Sequence, residues 1–220
     1  MRIVWGTRGG DGRLRLEATP GPYDGVPPVN ALLLESEPLY VHDDILAVVS
    51  TLLFGQYCGG ELRLPRQVSP EVASAIQKYC EPAWVSVGPI NFEPRANLTG
   101  DGLLFLGKEL NEYRPRSCWG EPRVSTLISL DSGDFAGSLA SSDGLITNSN
   151  ATTIGQYAGA ASVLAAHIAV ALLYAETYFA RRIVVSDSFV NGVRDSDFHR
   201  IRFLLESCKV SLTTAATWNP

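Results

Sequence analysis

From Tyr157 to Ala175 the chain carries no Asp, Glu, Lys or Arg. A run of this length either crosses a bilayer core of about 30 Å or forms a helix buried on every side. Its composition selects the second: it is rich in Ala rather than Leu, and His167 sits in its middle. A helix that is apolar all round must be enclosed by other elements, so the chain needs partners for it on several sides. The pattern predicts one long helix from Gly155 to Ala180. Gly155, Gly159, Ala165, Ala166 and Ala169 are small enough to let neighbouring backbone approach. Arg181 and Arg182 follow at the end where positive charge is favoured.

The flanking sequence supplies the partners. Val124–Leu130, Arg182–Ser186 and Lys209–Thr213 read as strands, with a second helix at Ser196–Ser207 that Ser196 could cap. Strand, helix, strand, helix, strand is the grammar of a parallel sheet. A small-residue loop is expected between Leu130 and about Asn150. Upstream, Arg2–Trp5 and Arg13–Ala18 read as strands joined by a Gly-rich turn, and Val29–Glu35, Glu61–Leu64, Ala83–Val87 and Leu103–Leu106 as further strands. His42 or Asp43 starts a helix over Ile45–Phe54. Ser69-Pro70-Glu71 starts another. Residues 111–122, rich in Pro and Gly, read as a linker. The expected architecture is α/β: a Rossmann-like parallel unit at 116–220 and a smaller α+β part at 1–115.

Charge and cysteine usage exclude some classes. The net charge is −5 with no basic run, so a general grip on nucleic acid is not expected. Charged residues make up 19%, below the usual quarter or so, which points to extensive buried surface and to a protein partner or homo-oligomer. Cys58, Cys80, Cys118 and Cys208 show no zinc spacing, and no zinc is expected. The start, MRIVWGTRGG, lacks the apolar region of a signal peptide, so a reducing, cytoplasmic home is expected.

In open α/β sheets ligands bind beyond the carboxyl ends of the strands. That rule selects two loops, 131–142 and 187–195. Together with Ser129 they offer Asp131, Ser132, Gly133, Asp134, Ser138, Asp187, Ser188, Asn191 and Asp195. Carboxylates and hydroxyls so grouped could hold ATP through Mg²⁺. The same residue types also simply make turns. Leu130-Asp131-Ser132-Gly133 matches the turn of aspartic proteases, but those are all-β and a helix-rich stretch follows here. The P-loop and dinucleotide fingerprints are absent.

Ser129 to Ala136, SLDSGDFA, resembles the phosphate loop of the PP-loop ATP pyrophosphatases, in which backbone N–H groups cradle pyrophosphate after a strand. The paired glycines are missing, and Gly133-Asp134 stands where Asp-Ser is expected, so the loop is degenerate. VALLYAETYFARRIVVSDSFVNG is similar to the pattern of 7-cyano-7-deazaguanine synthase-like proteins. The region HDDILAVVSTLLFG is similar to an extra domain on relatives found in modification or defence clusters. The resemblance implies ATP binding by a non-catalytic or altered subunit of such a complex. The family's cysteine cluster for zinc is absent. The Ala-rich helix and its following strand also resemble thiolase-like condensing enzymes, which use a nucleophilic Cys at a helix start. A third reading is an interaction or scaffold protein without a small-molecule site. His167 is expected to be a core histidine bonded to a neighbour.

Overall fold

The computed structural model describes residues 1–8, 13–93, 100–109, 124–131 and 137–217. The expected linker 111–122, with Cys118, lies outside the described residues, as do Ser132, Gly133 and Asp134. The chain folds as α/β around a mostly parallel sheet, 11-stranded among the described residues. In chain order the strands are β1 (Arg2–Arg8), β2 (Leu14–Thr19), β3 (Ala31–Leu34), β4 (Glu61–Val68), β5 (Ser86–Ile90), β6 (Gly102–Gly107), β7 (Val124–Asp131), β8 (Ser138–Ser141), β9 (Gly144–Ser149), β10 (Ala180–Val185) and β11 (Ser211–Thr214). Across the sheet the order is β11-β10-β6-β7-β9-β3-β2-β1-β4-β5, with β8 paired to β9 outside this path.

The expected parallel set is present. β10 pairs parallel with β11 and with β6, and β6 pairs parallel with β7. β6 therefore lies between β7 and β10, so the sheet runs unbroken across the expected boundary at 115/116. The upstream strands are mixed: β1, β2 and β3 form an antiparallel meander, and β4 and β5 add in parallel beside β1. The seam between the two sets is narrow. β3 and β9 share only the Leu34–Ser149 register pair, and Asn150 reinforces it. Its Oδ1 accepts from Leu33 N at 2.8 Å and its Nδ2 donates to Ala31 O at 2.9 Å.

The helices are α1 (Asp43–Phe54), α2 (Pro70–Cys80), α3 (Ala151–Gly155), α4 (Ala160–Ala175), α5 (Asp187–Val190) and α6 (Asp195–Ser207). His42 caps α1 by accepting from Asp44 N, and Ser69 caps α2 with Pro70 behind it. One large core joins buried residues of every helix to one face of the sheet, through Leu104, Leu106, Leu127, Ile183, Val185 and Leu212 among others. On the opposite face, Leu103, Phe105 and Val184 form a separate small cluster. α4 is the hub: its residues from Leu164 to Ala175 are all buried, and it packs on α1, α3 and the central strands.

Four expectations are corrected. The long helix is two pieces. Gly159 adopts φ +94°, a left-handed conformation that L side chains avoid, and splits α3 and a short 3₁₀ turn from α4. α4 then stops at Ala175, and the residues up to Phe179 turn back into β10. Gly155 does sit at a close approach, because a Cβ there would lie 2.4 Å from the Val163 Cα. Gly159 does not, having open space around it. The expected loop before Asn150 contains the β8–β9 hairpin, with β9 parallel to β7. Arg194, not Ser196, occupies the N-cap position of α6, without a side-chain cap bond.

Candidate functional site

The parallel strands place Asp131 and Asp187, the first residues of the two sequence-selected loops, at one edge, whereas Ser138–Ser141 run back along β9 as β8. β6 leads to β7 on one side, and the chain then crosses to β10 on the other. Such a reversal opens a crevice at the carboxyl ends of the flanking strands. Ser186 N donates to Leu106 O at 2.9 Å and closes the seam between β10 and β6 just beneath this point. Beyond it lie Lys108 and Glu109 after β6, Asp131 ending β7, and Asp187, Ser188 and Asn191 after β10. Asp187, Ser188 and Asn191 are exposed. Ser186 caps the short α5 by accepting from Ser188 N, while Asp187 Oδ1 accepts from Ala216 N at 3.3 Å and ties this loop to the turn after β11.

Ser129 is not on that rim. It is buried on the helix-facing side of β7, with Oγ 3.0 Å from His167 Nδ1 and 3.4 Å from Ser149 Oγ. The other ring nitrogen of His167, Nε2, is 2.8 Å from Thr152 Oγ1 in α3. The ring also packs at 4.7 Å from that of Phe189. Burial, with the charge of Lys108 adding to it, pushes His167 down to about 3. The imidazole is therefore neutral at ordinary pH and bridges two hydroxyls, one as donor and one as acceptor. It links β7, α3 and α4, as expected for a core histidine. An imidazole so hard to protonate makes a poor general base near neutrality.

A cavity of about 430 Å³ opens at the same edge, within the helix layer. The carboxyl-terminal ends of α1 and α2 meet the amino-terminal ends of α4 and α6 there. Gln56, Tyr79, Ala160, Gly192, Arg194 and Arg200 are among its lining residues. Gly192 and Arg194 belong to the loop 187–195 that the sequence selected. α4 begins at this wall with no side-chain cap, and Ala160, Ala161 and Ser162 of its first turn line the cavity at the positive end of the helix dipole. Arg194 is exposed and paired with Asp197, Nε to Oδ2 at 2.8 Å. Arg200 is held in place: Nε donates to Tyr79 O at 2.7 Å, Nη2 donates to Tyr79 O and Glu81 O, and its guanidinium lies 4.8 Å from the centre of the Tyr79 ring. Cys80 also lines the cavity. Burial pushes its thiol up to about 11, so it is protonated at neutral pH and no nucleophile.

Among the described residues no group of three or more His, Cys, Asp or Glu side chains is placed to hold a metal ion. Among them, too, no helix is long and apolar enough to cross a membrane. The sequence reading missed Lys108, Arg194, Arg200 and Tyr79. One signal was present: Gly159-Ala160-Ala161 opens a helix without the Ser, Thr, Asp or Asn that normally caps one.

Fold and site together define an α/β protein whose concave surface lies at the carboxyl edge of its parallel strands. No protein-family model, curated protein or solved structure matches the chain.

Proposed function

We propose that the chain binds a small anionic ligand of the nucleotide class in the cavity at the carboxyl edge, as a binding subunit rather than a catalyst. One observation carries the reading: a cavity of about 430 Å³ combines the uncapped start of α4 with Arg194 and Arg200. That volume lies in the range of small-molecule sites, and a helix start beside two guanidinium groups favours phosphate or carboxylate. The phosphates would lie toward Ala160 and Arg194. Asp197 also lines the cavity and its carboxylate disfavours bare phosphate, so Mg²⁺ would arrive with the ligand. Cys58, Cys80 and Cys208 are free and buried, which suits a reducing, cytoplasmic home.

Calorimetry with ATP, ADP and AMP, each with and without Mg²⁺, tests this. Binding below millimolar concentration is expected, weakened about tenfold in Arg194→Ala, a loss of about 1.4 kcal/mol. Arg194 is exposed, so the unfolding midpoint of that variant should stay unchanged. Absence of binding by all three would end the reading.

A second reading, an interaction module or homo-oligomer, draws on a different observation. Tyr23, Leu39 and Phe92 are each more than four-fifths exposed. Light scattering that found only monomer at every concentration would count against the homo-oligomer.

A further inference from the structure

We infer that Trp84 is the aromatic platform on which the base of a nucleotide ligand stacks. The inference rests on the reading just given and extends it from an anion site to a two-part site. Trp84 is 87% exposed, an unusual position for the largest side chain in the turn after α2. It lines a second cavity, of about 370 Å³, with Gln77, Lys78, Glu81 and Pro82. Ala83 lines both cavities, so the two adjoin at this residue.

The turn that holds Trp84 is fixed from both sides. Ala83 N donates to Cys80 O at 3.0 Å, and Arg200, from the wall of the larger cavity, donates to Tyr79 O and Glu81 O. Trp84 is thus carried on a braced piece of backbone, which makes an exposed ring a usable stacking surface. Gln77 offers an amide donor and acceptor for the edge of a base, and Lys78 is held near the ring of Phe203, 4.8 Å from its centre. The chemistry divides cleanly. The second cavity offers an aromatic face and an amide beside Lys78 and Glu81, while the first offers two guanidinium groups, one of them paired with Asp197, and a helix start. A nucleoside phosphate has both matching halves, whereas inorganic polyphosphate has only one.

The test follows tryptophan emission and calorimetric binding in wild type, Trp84→Ala and Trp84→Phe, titrated with ATP, AMP and inorganic tripolyphosphate. The nucleotides are expected to quench wild-type emission. Trp84→Ala should bind ATP and AMP at least about tenfold more weakly, Trp84→Phe should recover most of the loss, and tripolyphosphate should bind all three proteins alike. Nucleotide binding that is unchanged in Trp84→Ala would overturn the platform and leave the anion site standing. An equal loss for nucleotide and tripolyphosphate would also overturn it, since the residue would then be shaping the cavity as a whole. Wild type that binds tripolyphosphate as tightly as ATP would show that the base makes no contact. Wild type that binds none of the three would overturn the site and the platform together.

Discussion

A single imidazole shows how a residue's surroundings translate into a measurable property of the whole chain. Folded His167 resists protonation down to about pH 3, because burial removes the water that would stabilise the imidazolium and Lys108 repels it. In the unfolded chain the same group takes up a proton near pH 6.5. Between those values the unfolded state binds more protons, so stability falls as pH falls. The contribution is intact above about pH 6.5 and is lost on acidification through that window, at up to about 1.4 kcal/mol per pH unit. Urea unfolding of wild type between about pH 5 and pH 7 should show this slope, and His167→Gln should flatten it whatever its overall stability. An unchanged slope would place the titrating group elsewhere. The burial of His167 was legible in its apolar neighbours. Its partners Ser129 and Thr152 were not, because they lie on elements distant in sequence that only the tertiary fold brings within 3 Å. The same holds for Arg200, whose role depends on carbonyls of α2 that no local pattern connects to α6.

At the scale of elements, α3 and α4 meet at one close backbone approach. Gly155 in α3 faces the first turn of α4, where an added Cβ would sit 2.4 Å from Val163 Cα and 2.5 Å from its amide nitrogen. Backbone cannot yield as a flexible side chain does. Gly155→Ala should therefore lower stability by about 1–3 kcal/mol, or more if α3 detaches, with the loss read from the denaturation midpoint. A neutral effect would show that α3 shifts freely. The apolar run made α4 recognisable, since its composition alone requires burial on all sides. Its true start was less visible, because hydrophobic periodicity does not register a single residue with positive φ. The β8–β9 hairpin escaped for a related reason. Gly144, Thr147, Asn148 and Ser149 are buried polar or small residues, and a strand without an apolar alternation reads as a loop. The caps of α1 and α2, which depend only on neighbours in sequence, were read correctly.

For the molecule as a whole, the governing feature is the central place of β6. It precedes the expected boundary at 115/116 in sequence, yet β7 and β10 both pair with it. The direction of the parallel strands was legible from alternation with helices, but the strand that joins them was not, since sheet order is set by long-range pairing. Residues 116–220 made alone would lack that strand, and α4 would lack α1. Neither that piece nor residues 1–115 should unfold cooperatively, whereas the full chain should show one transition by circular dichroism. A sharp transition in the isolated 116–220 piece would refute this. The same placement bears on how the chain emerges from a ribosome. α1 is complete at Phe54, but the helix that covers it starts only at Ala160. At about 5–20 residues per second, the side of α1 that meets α4 stays uncovered for roughly 5–20 s of translation. Until β7 and β10 are made, β6 has no strand partner, and α1 has β4 and α2 against it but not α4, a combination that chaperones bind and that other nascent chains can stick to.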